Sequence, residues 1–337
     1  MTAKKMNKPA FYKALNDPDF YPEANRQIKC DESNSFWIFK TGPWVYKVMK
    51  PVPKLSPMLQ EAYLSELVAA SNRLSPQLET SMTGLVGEGD QWKLASGLAP
   101  GAAPFYVLKQ KQLTDRGFLD QLLAKDKLGA KQAKDVAKAL WTFHEGLGQI
   151  NPKEAPGPDE LLEKLKDLYY QSKKFLGQTL TKAMVDLSTR PLEVYLTDRK
   201  KLLARRVRKG FVSYYHGSLD LKRVHWASDG VAFIAKSEEA VKDRYGDRIS
   251  DLADLCVALE HEGKGEWSQV LVEEYQKHCG DPDVAELLPL YRAMRTLKMG
   301  LHHSVVMGLG GPEAEVEAEK ALAKSYFEQT VIIANSL

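Results

Sequence analysis

Cysteine is scarce in this chain of 337 residues: three (Cys30, Cys256 and Cys279), widely spaced and odd in number. A disulfide framework is excluded, and a reducing, cytoplasmic compartment is expected. No uninterrupted apolar run approaches the roughly 20 residues that a bilayer requires, so no membrane span is expected. The N-terminal Lys4 and Lys5 give the basic start of an export signal, but residues 9–19 are polar where the apolar segment of such a signal should follow. Charge of one sign is also missing. With 47 basic and 44 acidic residues the net charge is only +3, so nothing global suggests nucleic-acid or membrane-surface binding. Several catalytic signatures are absent as well. There is no Gly-x-x-x-x-Gly-Lys-Ser/Thr loop, no Cys-x-x-Cys and no His-Glu-x-x-His. Gly87-Glu-Gly89 lacks the third glycine of a dinucleotide fingerprint and reads as a hairpin turn.

What is present is the composition of a folded globular chain, 44% hydrophobic and 27% charged. Its organisation changes along the length. Phe36-Trp-Ile-Phe39 and Val45-Tyr-Lys-Val-Met49 are β-branched and aromatic runs flanking Thr41-Gly-Pro-Trp44. Leu85-Val86 and Trp92-Lys-Leu94 flank Gly87-Glu-Gly-Asp90 in the same way, and Phe105-Tyr-Val-Leu108 is a further run. These spacings predict one small antiparallel sheet. Leu59, Ala62, Tyr63, Leu67 and Ala70 repeat at a helical period, which places one helix among the strands. After Thr114 the pattern is almost wholly helical, with amphipathic stretches through Ala133–Phe143, Leu161–Phe175 and Trp267–Tyr275. The acidic run from Glu313 to Glu319 starts a last helix, where the dipole favours carboxylates. The exception is residues 210–237, in which Phe211-Val-Ser-Tyr-Tyr215 and Gly230-Val-Ala-Phe-Ile-Ala235 read as two strands around an irregular loop. The fold class expected is therefore α+β. A sheet-bearing N-terminal lobe occupies residues 1–110, and a larger, mainly helical C-terminal lobe, residues 111–337, contains the irregular segment 215–237.

Two local features carry chemistry. One is the basic stretch 199–209 (Arg199, Lys200, Lys201, Arg205, Arg206, Arg208, Lys209), which can attract an acidic protein partner. Without interleaved aromatics it does not read as a nucleic-acid site. The other is a constellation in chain order: a strand lysine, Lys47; a glutamate on the following helix, Glu66; and, much later, the segment Tyr215-His-Gly-Ser-Leu-Asp-Leu-Lys-Arg-Val224. This is the layout of a kinase-like phosphotransferase, in which the lysine neutralises nucleotide phosphates, the glutamate holds the lysine and the loop supplies catalytic groups.

Over residues 28–330 the chain resembles the bacterial branch of the aminoglycoside phosphotransferase and choline kinase-like superfamily. The resemblance rests on Glu32-Ser-Asn-Ser-Phe-Trp-Ile-Phe39, Val45-Tyr-Lys-Val-Met-Lys-Pro-Val52, Leu74-Ser-Pro76, Phe143-His144, His216-Gly217, residues 247–255 and Tyr291-Arg-Ala-Met-Arg-Thr-Leu-Lys298, in that order. It implies a bilobal, protein kinase-like fold. It also implies a catalytic loop of the form His-Gly-Asp with an Asn five residues after the Asp, and a metal-binding carboxylate in the next strand. This chain departs from all three expectations. Ser218 stands at the Asp, Arg223 at the Asn, and Ile234 where the metal carboxylate should be. A serine hydroxyl is too weak a base for the role, and a cation at a metal-ligand position repels Mg²⁺.

The expectation is thus a pseudokinase with a binding or regulatory role. It would bind ATP or another nucleotide through Lys47 and the segment 108–111 without magnesium, or an anionic small molecule through Lys222 and Arg223. Two alternatives stay open. In the first, the protein is an active ATP-dependent phosphotransferase with Asp220 as a displaced base and Glu238 reaching the metal. In the second, it is an interaction protein that docks a partner through residues 199–209. Each residue also has a plainer reading: Lys47 and Glu66 as solvent-facing charges, His216 as a structural brace of the loop, Asp251 and Asp254 as a helix cap and brace below it, and His225 as a loop histidine.

Overall fold

The computed structural model describes residues 8–23, 27–33, 35–51, 56–148, 150–228, 230–235 and 245–337. The chain divides into two compact units, one of Met1–Gly117 with Ala232–Glu238, the other of Phe118–Val231 with Glu239–Leu337.

The first unit is built on a six-stranded antiparallel sheet of β1 (Lys29–Glu32), β2 (Phe36–Lys40), β3 (Trp44–Met49), β4 (Ser81–Glu88), β5 (Gln91–Ala95) and β6 (Phe105–Lys111), in the order β1-β2-β3-β6-β4-β5. Side chains on a strand alternate between faces, and here both faces are apolar. Trp37, Phe39, Tyr46, Val48 and Val107 form one core with Phe11 and Leu15 of α1 (Phe11–Leu15) and with Tyr21. Phe36, Met49, Tyr106 and Leu108 form a second core with Leu64 and Leu67 of α2 (Pro57–Leu74). Burial on both sides is why β2 and β3 read as nearly continuous hydrophobic runs. Gly42, at φ 81°, supplies the left-handed residue in the turn between β2 and β3. Ser56 caps α2 by accepting from the Leu59 amide, Pro57 opens it, and Pro76 follows its end. Beyond it, Asn72 pairs with both the amide and the carbonyl of Thr80 and so fixes the entry to β4.

The second unit is mainly helical. Its helices are α3 (Leu119–Ala124), α4 (Ala130–Gly146), α5 (Pro158–Ser172), α6 (Lys182–Asp198), α7 (Lys200–Arg208), α8 (Arg248–His261), α9 (Gly265–Cys279), α10 (Val284–Gly308) and α11 (Glu313–Ala334). α8 packs on α9 and α10, α9 on α4, and α11 along α10. Between α7 and α8 lie four short strands, β7 (Val212–Tyr214), β8 (Val224–Ala227), β9 (Gly230–Phe233) and β10 (Tyr245–Asp247). The sequence predicts two strands here, flanking a loop. The structure instead pairs β7 with β10 and β8 with β9. Three or four residues are too few to show a two-residue period, which is why β8 and β10 escape a pattern reading. His225 accordingly sits in β8, buried and edge-on to the Phe118 ring at 5.1 Å, and is not a loop residue.

The basic stretch 199–209 also differs from expectation. Most of it is helix α7, and four of its cations are engaged within the unit. Arg199 pairs with Glu286, Lys200 with Asp159 and Arg205 with Asp283. Arg206 is 0% exposed. Its Nε and Nη2 donate to both oxygens of Asp247 at 2.5 and 2.9 Å, and its Nη1 donates to Asp281 at 2.8 Å and Asp283 at 3.3 Å. Asp247 in turn caps α8 by accepting from the Ile249 amide. One guanidinium therefore ties α7 to the start of α8 and to the turn before α10. Lys201, Arg208 and Lys209 are exposed, as is Arg205 beside its pairing with Asp283.

Removing one partner from a buried charge cluster leaves the others uncompensated, at a cost of about 3–5 kcal/mol. Arg206→Met is expected to lower stability by that amount, read from the urea midpoint. A loss under about 1 kcal/mol would show that the three carboxylates do not depend on this cation.

Candidate functional site

The segment following β7 is held from behind by two carboxylates of α8. Asp251, 0% exposed, accepts from the His216 amide at 2.7 Å and from the Gly217 amide at 2.8 Å. Asp254 accepts from the Leu219 amide at 2.9 Å. Residues three apart on a helix share a face, so the two acids present themselves together to three loop amides. Cations of α10, also three apart, take the carbonyls: Arg295 donates to Leu219 O at 3.1 Å, and Lys298 to Gly217 O at 3.4 Å. Arg295 also lies 3.3 Å from Asp254. Burial pushes the Asp254 carboxyl up to about 6, against the pull of Arg295 and Lys298. Gly217 has φ 78°, a left-handed conformation that a side chain at this point would strain.

Behind Asp251 the chain continues to His144 of α4, whose Nε2 lies 3.0 Å from Asp251, while its Nδ1 lies 2.9 Å from the Tyr275 hydroxyl of α9. The sequence alone gives Phe143-His144 only as part of a resemblance. The structure gives His144, Tyr275, Arg295 and Lys298 roles in supporting the loop. The signal that would have found the cations is their i, i+3 spacing, which matches that of Asp251 and Asp254. Asp251 and Asp254 brace the loop itself and not, as expected, the start of a helix below it; the cap of α8 is Asp247.

On this braced backbone stand the residues singled out by sequence. His216 is buried (2% exposed), and its main chain takes part in the brace. Ser218 is also buried, 5% exposed. Asp220 is the one acid between His216 and Val224. Its side chain accepts from the Lys222 amide at 2.9 Å, opening the 3₁₀ turn Leu221–Arg223, and from Arg223 Nε at 3.0 Å. Arg223 is thus paired with Asp220, whereas Lys222 is exposed. Ile234 follows β9, half-buried. Ser218, Arg223 and Ile234 bring no carboxylate, and among the described residues no group of three or more His, Cys, Asp or Glu side chains could hold a metal. Glu238 lies outside the described residues.

In the first unit, Lys47 projects from β3 on the α2 side of the sheet, between Ile38 and Leu108 in register. Its Nζ donates to Gln110 Oε1 at 3.2 Å. Burial pushes the ammonium pKa down to about 8, with the Lys40 charge adding to the effect. The expected Lys47–Glu66 pair is not formed: Glu66 is exposed. The reason is helical phase. α2 turns Leu64 and Leu67 to the sheet, and at about 100° per residue Glu66 lies off that face. The α2 carboxylate that the sheet side engages is Glu61, which accepts from the Tyr106 hydroxyl at 2.8 Å and the Gly101 amide at 2.5 Å.

No protein-family model matches the chain, and no curated protein matches its sequence. Solved structures do match it in three dimensions. A choline/ethanolamine kinase family protein from Mesorhizobium loti aligns over 98% of this chain and 100% of its own, with TM-score 0.54 and 14% identity. The ADP-bound aminoglycoside phosphotransferase APH(2'')-Ib aligns over 95% and 98%, with TM-score 0.52 and 14% identity. A microcompartment-associated aminopropanol kinase aligns over 96% of each chain, with TM-score 0.53 and 15% identity. The chain has the α+β fold of these kinase-like phosphotransferases, an antiparallel sheet followed by a mainly helical part, as the resemblance in sequence implied. At such identities the likeness establishes fold and not activity.

Two measurements probe this geometry. Asp251→Ala removes the acceptor for two buried amides, and hydrogen bonds to a charged group are worth about 1.5–3 kcal/mol each. A loss of about 3 kcal/mol or more is expected, with faster hydrogen exchange at the His216 and Gly217 amides; unchanged exchange at both would contradict the brace. For Lys47, the folded pKa lies below the ordinary lysine value of 10.5. The unfolded chain therefore binds more protons between about pH 8 and 10.5, and stability contributed at this residue rises with pH across that window. The melting temperature of the wild type minus that of Lys47→Met should climb from pH 8 to pH 10. A flat difference would mean that the ammonium is not desolvated.

Proposed function

We propose that this protein is a kinase-like binding module, a pseudokinase, that has lost ordinary phosphoryl transfer and serves a binding or regulatory role. The observation that carries the reading is the state of the loop. Its backbone is held by Asp251, Asp254, Arg295 and Lys298, yet the position that the resemblance assigns to the base is Ser218, and the loop's one acid, Asp220, is engaged by Arg223 and by the Lys222 amide. Loss of a positioned general base typically costs about 10²- to 10⁴-fold, and loss of the metal that neutralises developing phosphate charge adds several kcal/mol to the barrier. For Asp220 to act as a displaced base it would first have to leave Arg223 and uncap the turn at residues 221–223.

The ligand proposed for the first unit is a nucleotide such as ATP, held without magnesium. Lys47 supports this: it is a desolvated ammonium whose hydrogen-bond partner among the described residues is a neutral amide, so it keeps its charge for an anion. A structure of the same fold is ADP-bound. A cytoplasmic location fits the free thiols of Cys30, Cys256 and Cys279. No helix among the described residues is long and apolar enough to cross a membrane.

The test is calorimetric titration with ATP, with and without Mg²⁺, at pH 7 and pH 9, alongside a product assay. Binding should occur without Mg²⁺, vanish in Lys47→Met and weaken at pH 9, where an ammonium with a pKa of about 8 has mostly lost its proton. No phosphorylated product should form. Mg²⁺-dependent turnover that Asp220→Asn abolishes would overturn the proposal in favour of an active phosphotransferase.

A further inference from the structure

The second unit contains a cavity of about 460 Å³, in the range that holds small molecules. Its walls are apolar on three sides. Leu161 and Leu168 come from α5, Leu203 and Val207 from α7, and Tyr291 and Met294 from α10. The remaining wall is the back of the braced loop, where Gly217, Asp254, Arg295 and Lys298 meet.

The charges on these walls select the occupant. At the loop end the lining holds two cations, Arg295 and Lys298, and one carboxylate, Asp254, which Arg295 approaches at 3.3 Å; Asp251, outside the lining, is taken up by the His216 and Gly217 amides and by His144. The other carboxylates in the lining are engaged or at the mouth. Asp247 is held at both oxygens by Arg206. Glu160 accepts from the Gly157 amide at the start of α5. Glu154 is exposed, as are Lys153 and Lys164. A cationic guest would find tyrosine rings but no buried carboxylate left to neutralise it, whereas an anionic head group would meet the α10 cations with its apolar body among the leucines.

We infer that this cavity binds an amphipathic small molecule with an aromatic or aliphatic body and a carboxylate-like or phosphate-like anionic head, the head seated at Lys298 and Arg295 and the body between α5, α7 and α10. This gives the proposed binding role a ligand class and rests on the reading of the chain as a binding module. Because the ligand touches Gly217 and the residues that brace the loop, its occupancy bears directly on the loop's backbone.

The experiment uses three matched probes on the full chain: naphthalene-1-acetate (anion), 2-(1-naphthyl)ethanol (neutral) and 2-(1-naphthyl)ethylammonium (cation), titrated by calorimetry. The anion is expected to bind at least tenfold more tightly than the cation, with the alcohol between them. Lys298→Met should weaken the anion by about tenfold or more and leave the alcohol unchanged, because only the charge-assisted contact is lost. Lys298→Arg should restore it, which separates charge from any disturbance of the loop. Leu161→Trp, at a half-buried position on α5, should block all three probes. Equal or tighter binding of the cation, no binding by any probe, or anion affinity indifferent to Lys298→Met would each overturn the inference. The outcome is distinct from that of the ATP assay: turnover with Mg²⁺ would end the pseudokinase reading while leaving the probe ranking as measured, and a failed ranking with no turnover would end the ligand class alone.

Discussion

The hydrogen bonds from the His216, Gly217 and Leu219 amides to Asp251 and Asp254 are the constraint on which the candidate site depends. A loop that runs through the interior has no water to satisfy its peptide groups, and every amide turned inward needs an acceptor. α8 provides two, one helical turn apart, and α10 answers with two cations for the carbonyls. The acids are in turn secured: Asp251 by His144, which rests on Tyr275, and Asp254 by Arg295. Elements far apart in sequence, α4, α8, α9 and α10, are thereby tied to the stretch 216–219.

Much of this was legible in the sequence, and the boundary of what was legible has a physical cause. Five of the six sheet strands and the amphipathic helices follow from apolar patterning, which accumulates over many residues; β1, Lys-Cys-Asp-Glu and exposed throughout, carries no such signal. Lys47 was found because it stands in one of those strands, first in the chain order of strand lysine, helix glutamate and His-Gly loop. Glu66 was misplaced because a helix has a finer angular phase, and the alternative at Glu61 is visible only when Leu64 and Leu67 are known to face the sheet. The four short strands between α7 and α8 fell below the length at which a period can be read. The support of the loop was half visible: the spacing of Asp251 and Asp254 pointed to a cap and brace at a helix start, whereas their acceptance of backbone amides 34 or 35 residues away and the pairing of His144 with Asp251 across 107 residues depend on tertiary contacts.

The run of cations at 199–209 teaches a related lesson. Seven basic residues in eleven positions look like a surface patch, but a helix distributes them around its axis. α7 turns Arg206 inward to Asp247, Asp281 and Asp283 and sends Arg205 to Asp283. Three of those carboxylates come from other segments of the same unit, so the sequence shows the cations together and the anions scattered. Net local charge read along the chain therefore overstates the field at the surface. The same accounting works in the opposite direction at the cavity, where Asp247 stands in the wall but is consumed by Arg206, and two α10 cations line the loop end.

The proposed loss of the base beside an intact brace is not a contradiction, because the two answer to different demands. Asp251, Asp254, Arg295 and Lys298 are required by the burial of the loop's peptide groups, and that requirement holds whether or not anything reacts there. A base and metal ligands are required only by chemistry, and the residues at the positions that the resemblance assigns to them are compatible with the packing: Ser218 is smaller than an aspartate, Ile234 is apolar, and Arg223 finds its counter-charge three residues away in Asp220. An intact scaffold around this loop is thus evidence of folding alone. The residues that can discriminate between an enzyme and the proposed binding module are those at the positions where the resemblance implies a base and metal ligands, Ser218, Arg223 and Ile234.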